Sequence, residues 1–224
     1  KDLWIVDLQT GLRTRFTFAP GNETRACWSA SGEFVFYASL ENGKWSYWYE
    51  NGNLKCTGFY TDGTRDSLWK WYDESGRRLE ESGMYRNGLE HGSWVHYHSN
   101  GTISDSGAFA DGYKDGIWKY WFDNGTLSRA GEWSSGEQSG RWIFYYKNGQ
   151  QAEEVYYQDG HPVLTESVWD REGLQVVKGG TGDYMRFSEM GTLVETGEIE
   201  NGSRTGIWKH FFENGKIREE GIYM

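Results

Sequence analysis

One stretch of the chain reads Gly116-Ile117-Trp118-Lys119-Tyr120-Trp121-Phe122-Asp123-Asn124-Gly125-Thr126-Leu127-Ser128-Arg129-Ala130-Gly131-Glu132-Trp133. An aromatic run leads into an Asn-Gly pair, and a second run ends in Gly-x-Trp. Asn-Gly between two such runs is a strong signal for a β-hairpin, because both residues tolerate positive φ. The stretch therefore predicts two antiparallel strands joined by a tight turn at Asn124-Gly125.

The same pattern recurs along most of the chain. A turn glycine returns at intervals of about 24 residues, and an aromatic residue, mostly Trp, precedes it at a fixed spacing. The residues of this framework are Trp45, Trp69, Trp94, Trp118, Trp142 and Trp208, with Gly52, Gly76, Gly101, Gly125, Gly149 and Gly215 at the turns. A second turn, such as Asp111-Gly112, closes each unit, and the glycines are assigned to turns. We predict an all-β fold, an elongated single-layer meander of about eight antiparallel hairpins with almost no helix.

Two segments depart from the repeat. Residues 159–182 contain Pro162 and have Glu166 at the framework position, so we expect a bulge, a kink or a change of twist there. Residues 1–40 do not fit the repeat at all. The predicted organisation is therefore an N-terminal segment over 1–40, regular repeats over 41–158, an irregular repeat over 159–182 and two further repeats over 183–224.

Composition and charge narrow the classes of partner. The net charge is −10, from 23 Lys+Arg against 33 Asp+Glu, and the basic residues are scattered singly. Such a chain repels nucleic acid and opposes anionic lipid headgroups. We therefore predict no nucleic-acid partner and disfavour membrane lipid.

No constellation typical of catalysis or metal binding is found in the sequence. The chain lacks a nucleophile elbow, a phosphate-binding glycine loop and a His-Glu-x-x-His motif. His96 and His98 share a strand face without further ligands at metal-site spacing, and the pair Glu153-Glu154 is interpreted as a solvated strand face. We predict a non-enzyme without metal or cofactor. The sequence leaves open a disulfide between Cys27 and Cys56.

The aromatic columns are the candidate binding surface. The position two residues after the framework aromatic shares its strand face, and there lie Tyr47, Trp71, Tyr120, Phe144 and His210. These side chains either pack across strands or form an exposed surface of the kind that marks interaction sites. The aromatic residue three positions after each Trp should point to the other face, unless a bulge re-aims it.

The pattern Gly-x-Trp-x-x-aromatic-x-x-Asn-Gly-x-Leu-x-x-x-Gly-x-aromatic over residues 41–224 resembles the MORN-variant repeat of bacteria, whose proteins often carry an antitoxin-like label. The resemblance implies a β-sheet used for protein contacts, so a protein-binding or scaffolding module is the first hypothesis. A carbohydrate or cell-envelope binding module that uses exposed aromatic columns is the alternative.

The N-terminal segment carries a second resemblance. Trp28-Ser29-Ala30-Ser31-Gly32 is similar to the motif of TolB-type β-propellers, although the Pro and Asp of the usual motif are absent. Residues 1–39 then belong to a propeller, or they cap the first hairpin of the array. Both resemblances favour an extracytoplasmic location, periplasmic or in the cell envelope, over a cytoplasmic one.

Overall fold

The computed structural model describes the backbone of residues 4–6, 13–15, 22–28 and 35–41, and backbone with side chains over 44–188 and 191–224. Every element in these residues is a β-strand, which confirms the predicted all-β array of antiparallel hairpins. Within the described residues, no helix is long and apolar enough to span a membrane. The chain divides into two compact units, Lys1–Gly101 and Thr102–Met224.

The described residues of the first unit form nine strands. They are β1 (Trp4–Val6), β2 (Arg13–Arg15), β3 (Asn22–Trp28), β4 (Val35–Glu41), β5 (Lys44–Trp48), β6 (Leu54–Thr61), β7 (Thr64–Tyr72), β8 (Leu79–Arg86) and β9 (Leu89–Tyr97). Strands β1 and β2 pair with each other, and β3 to β9 pair antiparallel in chain order. The motif that resembles a propeller lies largely outside the described residues, so both readings of residues 1–40 stay predictions.

In the second unit, residues 102–188 and 191–224 form eleven strands. They are β10 (Ile103–Ala110), β11 (Tyr113–Trp121), β12 (Leu127–Ser134), β13 (Glu137–Tyr145), β14 (Gln151–Gln158), β15 (His161–Trp169), β16 (Gln175–Lys178), β17 (Thr181–Phe187), β18 (Leu193–Glu200), β19 (Ser203–Phe211) and β20 (Ile217–Tyr223). Each pairs antiparallel with the next. The domain boundaries predicted after residues 40, 158 and 182 stay predictions.

The two turns of a repeat use different chemistry. At the closing turn, Asp111 and Gly112 both have positive φ, 49° and 87°, as a type I′ turn requires. At the Asn-Gly turn only Gly125 has positive φ, 82°. The side chain of Asn124 makes two hydrogen bonds at this turn. Its Oδ1 accepts from Thr126 N at 3.0 Å, and its Nδ2 donates to the Lys147 carbonyl of the next hairpin at 3.1 Å. Of the two residues that tolerate positive φ, only the glycine uses this freedom at the Asn-Gly turn.

A β-bulge lies two positions before the framework tryptophans. Gly116 and Gly140 have φ of 74° and 62° there, and the register between neighbouring hairpins shifts at the same place, between Ser106 and Ala108 and between Ala130 and Glu132. Such a bulge bends the strand and re-aims the residues that follow it. These glycines are therefore not turn residues, contrary to the sequence interpretation.

The hydrogen bonding around the short strand β16 differs from that of the regular repeats. Thr165 N, in the middle of β15, donates to Gly202 O at the β18–β19 turn at 2.8 Å, and Gly202 N donates to Gly180 O at 2.8 Å. The sheet thereby folds upon itself around β16 and encloses a buried cluster, which comprises Val168, Val177, Tyr184, Ile199 and Trp208.

Candidate binding face

The framework tryptophans of the regular repeats are the core of the fold. Trp69, Trp118 and Trp142 have no exposed surface, and Trp94 and Trp208 are 4% and 1% exposed. Trp45, at the start of the described repeats, is only partly buried. We call the sheet face that carries these tryptophans the aromatic face of each unit.

Each buried indole lies directly on a glycine of the preceding strand. A Cβ on Gly131 would overlap the ring carbons Cδ2, Cε2 and Cγ of Trp142, and one on Gly107 would overlap the ring of Trp118. Gly58, Gly83 and Gly197 lie in the same way under Trp69, Trp94 and Trp208. The glycine of the Gly-x-aromatic motif is therefore needed because the indole ring lies close to the backbone at this position. These glycines are likewise not turn residues.

The indole N–H groups find partners beside the same glycines. Nε1 of Trp118 donates to the carbonyl of Ala108 at 2.9 Å, and Nε1 of Trp142 donates to that of Glu132 at 3.1 Å. Trp69 and Trp94 donate to Phe59 and Met84 in the same register. The hydrogen bond satisfies a buried donor and fixes the orientation of the ring.

The predicted column of Tyr47, Trp71, Tyr120, Phe144 and His210 lies on the aromatic face, and all five side chains are partly buried. Trp71 lies between Trp69 and Trp94, with both pairs of ring centroids 5.8 Å apart and inclined by 30° and 27°. Tyr120 lies in the same way between Trp118 and Trp142, at 6.2 Å from each. Within each unit, rings of the column and rings of the framework therefore alternate in a stack.

Cations supplied by the chain cover parts of this stack. The guanidinium of Arg65 lies 4.9 Å from the Trp69 ring, the ammonium of Lys114 lies 3.9 Å from the Trp118 ring, and the guanidinium of Arg204 lies 4.0 Å from the Trp208 ring. A cation over an indole face is attracted by the ring quadrupole. The aromatic face thus accepts cations at equivalent places in three repeats.

A bulge also follows the framework position on its other side. The register shifts between Phe144 and Tyr145, and the extra residue is Ala152 of β14. The residues Phe144, Tyr145 and Tyr146 all line one cavity. The backbone of β13 has no extra residue at this shift, so the expectation that Tyr145 points to the opposite face stays a prediction.

Where the sheet folds around β16, the aromatic face carries buried charge. Glu195 is 2% exposed, and its carboxylate pairs with Arg186 at 2.8 Å, Arg204 at 2.8 Å and His210 at 3.6 Å. Burial, followed by the charge of Glu195, raises the pKa of Glu153 to about 7. Sequence reasoning missed this cluster, because the only signal for it was the loss of the regular pattern at Glu166.

The pair Glu153-Glu154 was wrongly interpreted as a solvated face. Glu153 lies opposite Phe144 on the aromatic face and is partly buried. Glu154 points to the other face, is 8% exposed and forms a two-pronged ion pair with Arg141. Neighbouring carboxylates thus have different surroundings, and the Arg141 pairing lowers the pKa of Glu154.

Two cavities open on the aromatic face of the second unit. One, of about 150 Å³, lies between β13, β14 and β17 and includes Phe144 and Glu153 in its lining. The other, of about 350 Å³, lies between β17, β19 and β20 and includes His210 and Arg218. Two members of the predicted column, Phe144 and His210, therefore line cavities, and the other three lie within the stack.

The remaining candidates have structural surroundings. His96 Nε2 lies 3.6 Å from Glu81 Oε2, and no group of three or more His, Cys, Asp or Glu side chains in the described residues could hold a metal ion. The thiol of Cys56 is free and buried, and burial raises its pKa to about 11. The side chain of Cys27 lies outside the described residues.

Comparison with known proteins agrees with this geometry. No curated protein matches the chain. The bacterial, antitoxin-like and propeller parts of the resemblance stay predictions. The family model described as the MORN repeat variant matches residues 41–62, 114–133, 138–159 and 204–224, so that the hairpins β5–β6, β11–β12, β13–β14 and β19–β20 are similar to this repeat.

Proposed function

We propose that the chain is a non-catalytic module that binds or scaffolds a partner protein through its aromatic face. Repeats of the MORN type are commonly binding and scaffolding modules. The observation that carries the proposal is the pair of cavities where Phe144 and His210 meet charged side chains on this face. Aromatic rings and arginines that line pockets are the side chains that dominate protein interfaces.

The geometry supports a protein partner over a carbohydrate. Sugar rings stack on open aromatic faces, whereas Trp71 and Tyr120 each lie between two framework rings, with centroids 5.8 Å and 6.2 Å away respectively. Mixed apolar and charged cavities suit the side chains of a protein better. An extracytoplasmic location is part of the proposal and rests on the sequence resemblances alone.

The test compares the two faces of the sheet. The tagged chain is purified from its native cells and the proteins that accompany it are quantified by mass spectrometry, for the parent, for Phe144→Ala and His210→Ala on the aromatic face, and for Ile117→Ser and Ile207→Ser on the opposite face. The two isoleucines are 59% and 52% exposed, so their replacement leaves the core intact. Circular dichroism verifies that each variant is folded.

A protein that is lost with the aromatic-face variants and retained by the opposite-face variants supports the proposal. The reverse pattern moves the binding surface to the opposite face and overturns it. Recovery of glycan without a protein partner overturns it in favour of carbohydrate binding.

A further inference from the structure

The smaller cavity is lined mainly by aromatic rings. Phe144, Tyr145 and Tyr146 contribute from β13 and the turn that follows, and Tyr184 and Phe187 contribute from β17. Glu153 also lines the cavity, and its carboxyl group interacts with the hydroxyl of Tyr184. The volume of about 150 Å³ equals that of about five water molecules in the liquid, which is room for the charged end of a long side chain.

The hairpin β5–β6 has a cation at the equivalent place. Tyr49 and Tyr146 correspond in the repeat, and each hydroxyl donates to a backbone carbonyl of the next hairpin, that of Tyr72 at 2.7 Å and that of Trp169 at 2.8 Å. Over the ring of Tyr49 lies the ammonium of Lys55, 5.4 Å from its centroid. The chain thus covers this tyrosine with a cation of its own.

In the hairpin of Tyr146 the position of Lys55 is occupied by Ala152. Lys55 is the bulged residue between the partners of Tyr47 and Trp48, and Ala152 is the bulged residue between the partners of Phe144 and Tyr145. Ala152 lines the cavity. The cavity therefore lies where an equivalent repeat has a lysine side chain.

No arginine or lysine in the described part of the chain lies over the rings of Phe144, Tyr145 or Tyr146. Arg186 reaches the cavity, but its guanidinium is held by Glu195 at 2.8 Å. The aromatic stack elsewhere takes Arg65, Lys114 and Arg204 against its rings. A cation from outside would supply at this cavity what Lys55 supplies over Tyr49 in the hairpin β5–β6.

We propose that this cavity receives the guanidinium or ammonium group of an arginine or lysine side chain of a partner protein, held between the aromatic rings and the carboxylate of Glu153. The inference rests on the proposed function, because it names the chemistry by which the aromatic face recognises its partner. The net charge of −10 favours the approach of a basic segment, and rings with a carboxylate are the usual surroundings of a bound cation.

Cation binding should depend on pH. The groups that act on Glu153 are Tyr184 and Arg186 from β17, Glu195 from β18 and Arg204 from β19, and the pKa of Glu153 is raised to about 7, chiefly by burial. The carboxylate is therefore largely protonated at pH 5.5 and ionised at pH 8. A cation in the cavity favours the ionised form, so affinity rises with pH over this interval.

The experiment is isothermal titration of the full chain with the capped peptide acetyl-Gly-Arg-Gly-amide, with its lysine counterpart and with the neutral isostere in which citrulline replaces arginine. Three variants are compared with the parent. Ala152→Lys places a lysine at the position that Lys55 has in the hairpin β5–β6. Glu153→Gln removes the carboxylate, and Glu154→Gln makes the same change at the neighbouring residue on the opposite face.

We expect the arginine or the lysine peptide to bind the parent at pH 8 at least tenfold more tightly than the citrulline peptide. We expect at least a tenfold loss at pH 5.5, in Ala152→Lys and in Glu153→Gln, and no change in Glu154→Gln. Equal binding of the citrulline peptide, or undiminished binding by folded Ala152→Lys, overturns the proposal.

The outcome is separable from that of the proposed function. If a protein is captured through the aromatic face but the peptides do not bind, this cavity is not a cation pocket, and the proposed binding function still holds. Peptide binding that follows the expected pattern, without any captured protein, supports the pocket while the broader proposal fails.

Discussion

Replacement of Gly131 by alanine tests whether a buried tryptophan requires the glycine beneath its ring. The added Cβ would overlap three ring carbons of Trp142. This indole has no exposed surface and touches Tyr120, Trp133 and Phe144, so it has no space into which to move. Overpacking of a core costs about 1–3 kcal/mol, and displacement of the ring also breaks the hydrogen bond to Glu132 O, worth about 1 kcal/mol. The free energy of unfolding should fall by about 3 kcal/mol.

Gly221 offers a matched control. It pairs with Trp208 as Gly131 pairs with Trp118, and an added Cβ there meets no described atom within 4 Å. Since glycine within a strand is less favourable than alanine by about 0.5–1 kcal/mol, Gly221→Ala should leave the free energy of unfolding unchanged or raise it slightly.

Urea unfolding, followed by tryptophan fluorescence and by far-ultraviolet circular dichroism, measures both variants. With a slope of about 3 kcal/mol/M, Gly131→Ala should lower the midpoint by about 1 M. An unchanged midpoint for Gly131→Ala, or an equal loss for Gly221→Ala, would refute the view that the glycine is required by the ring above it.

Three further predictions concern buried polar groups. Burial raises the pKa of the Cys56 thiol to about 11. In the Cys27→Ser variant this thiol should therefore react with iodoacetamide at pH 8 only after unfolding. Rapid alkylation of the folded protein contradicts this expectation. Glu195→Gln should lower the free energy of unfolding by about 2–3 kcal/mol, because charged hydrogen bonds of a buried carboxylate are lost. Glu219→Gln, at the exposed equivalent position, should leave the free energy of unfolding unchanged in the same urea titration. Because the pKa of Glu153 in the folded protein lies above its ordinary value of 4.5, its contribution to stability is complete below pH 4.5 and is lost as pH rises to about 7. The thermal-unfolding temperature should therefore fall between pH 4.5 and pH 8, and Glu153→Gln should reduce this fall. An identical fall in the variant contradicts the raised pKa of Glu153.

The hairpins were predictable because turn chemistry is local. The positive φ of Gly125 and the side-chain hydrogen bond of Asn124 to Thr126 N involve residues that are adjacent in the chain. The alternation of aromatic residues around Trp118 and Tyr120 follows from the two-residue period of a strand. Local rules therefore suffice for the number of hairpins, the position of their turns and the composition of the aromatic face.

The role of the non-turn glycines was not predictable from such rules. Gly131 is required by Trp142, which belongs to the next hairpin. The contact between Gly131 and Trp142 depends on the register between the two hairpins, and the bulge at Gly140 sets that register. A glycine that serves a ring above it and a glycine that serves a turn look alike in the sequence.

The sequence alone thus determined the repeat, the antiparallel pairing and the side chains that share a strand face, because each depends on short-range geometry. Only the tertiary structure decided that Glu153 is partly buried while Glu219 is exposed, and that a cavity lies beside Ala152 where the hairpin β5–β6 has the ammonium of Lys55 over Tyr49. The physical reason is that burial and charge at these positions are set by β17 and β18, which the fold around β16 brings over the aromatic face from a distant part of the chain.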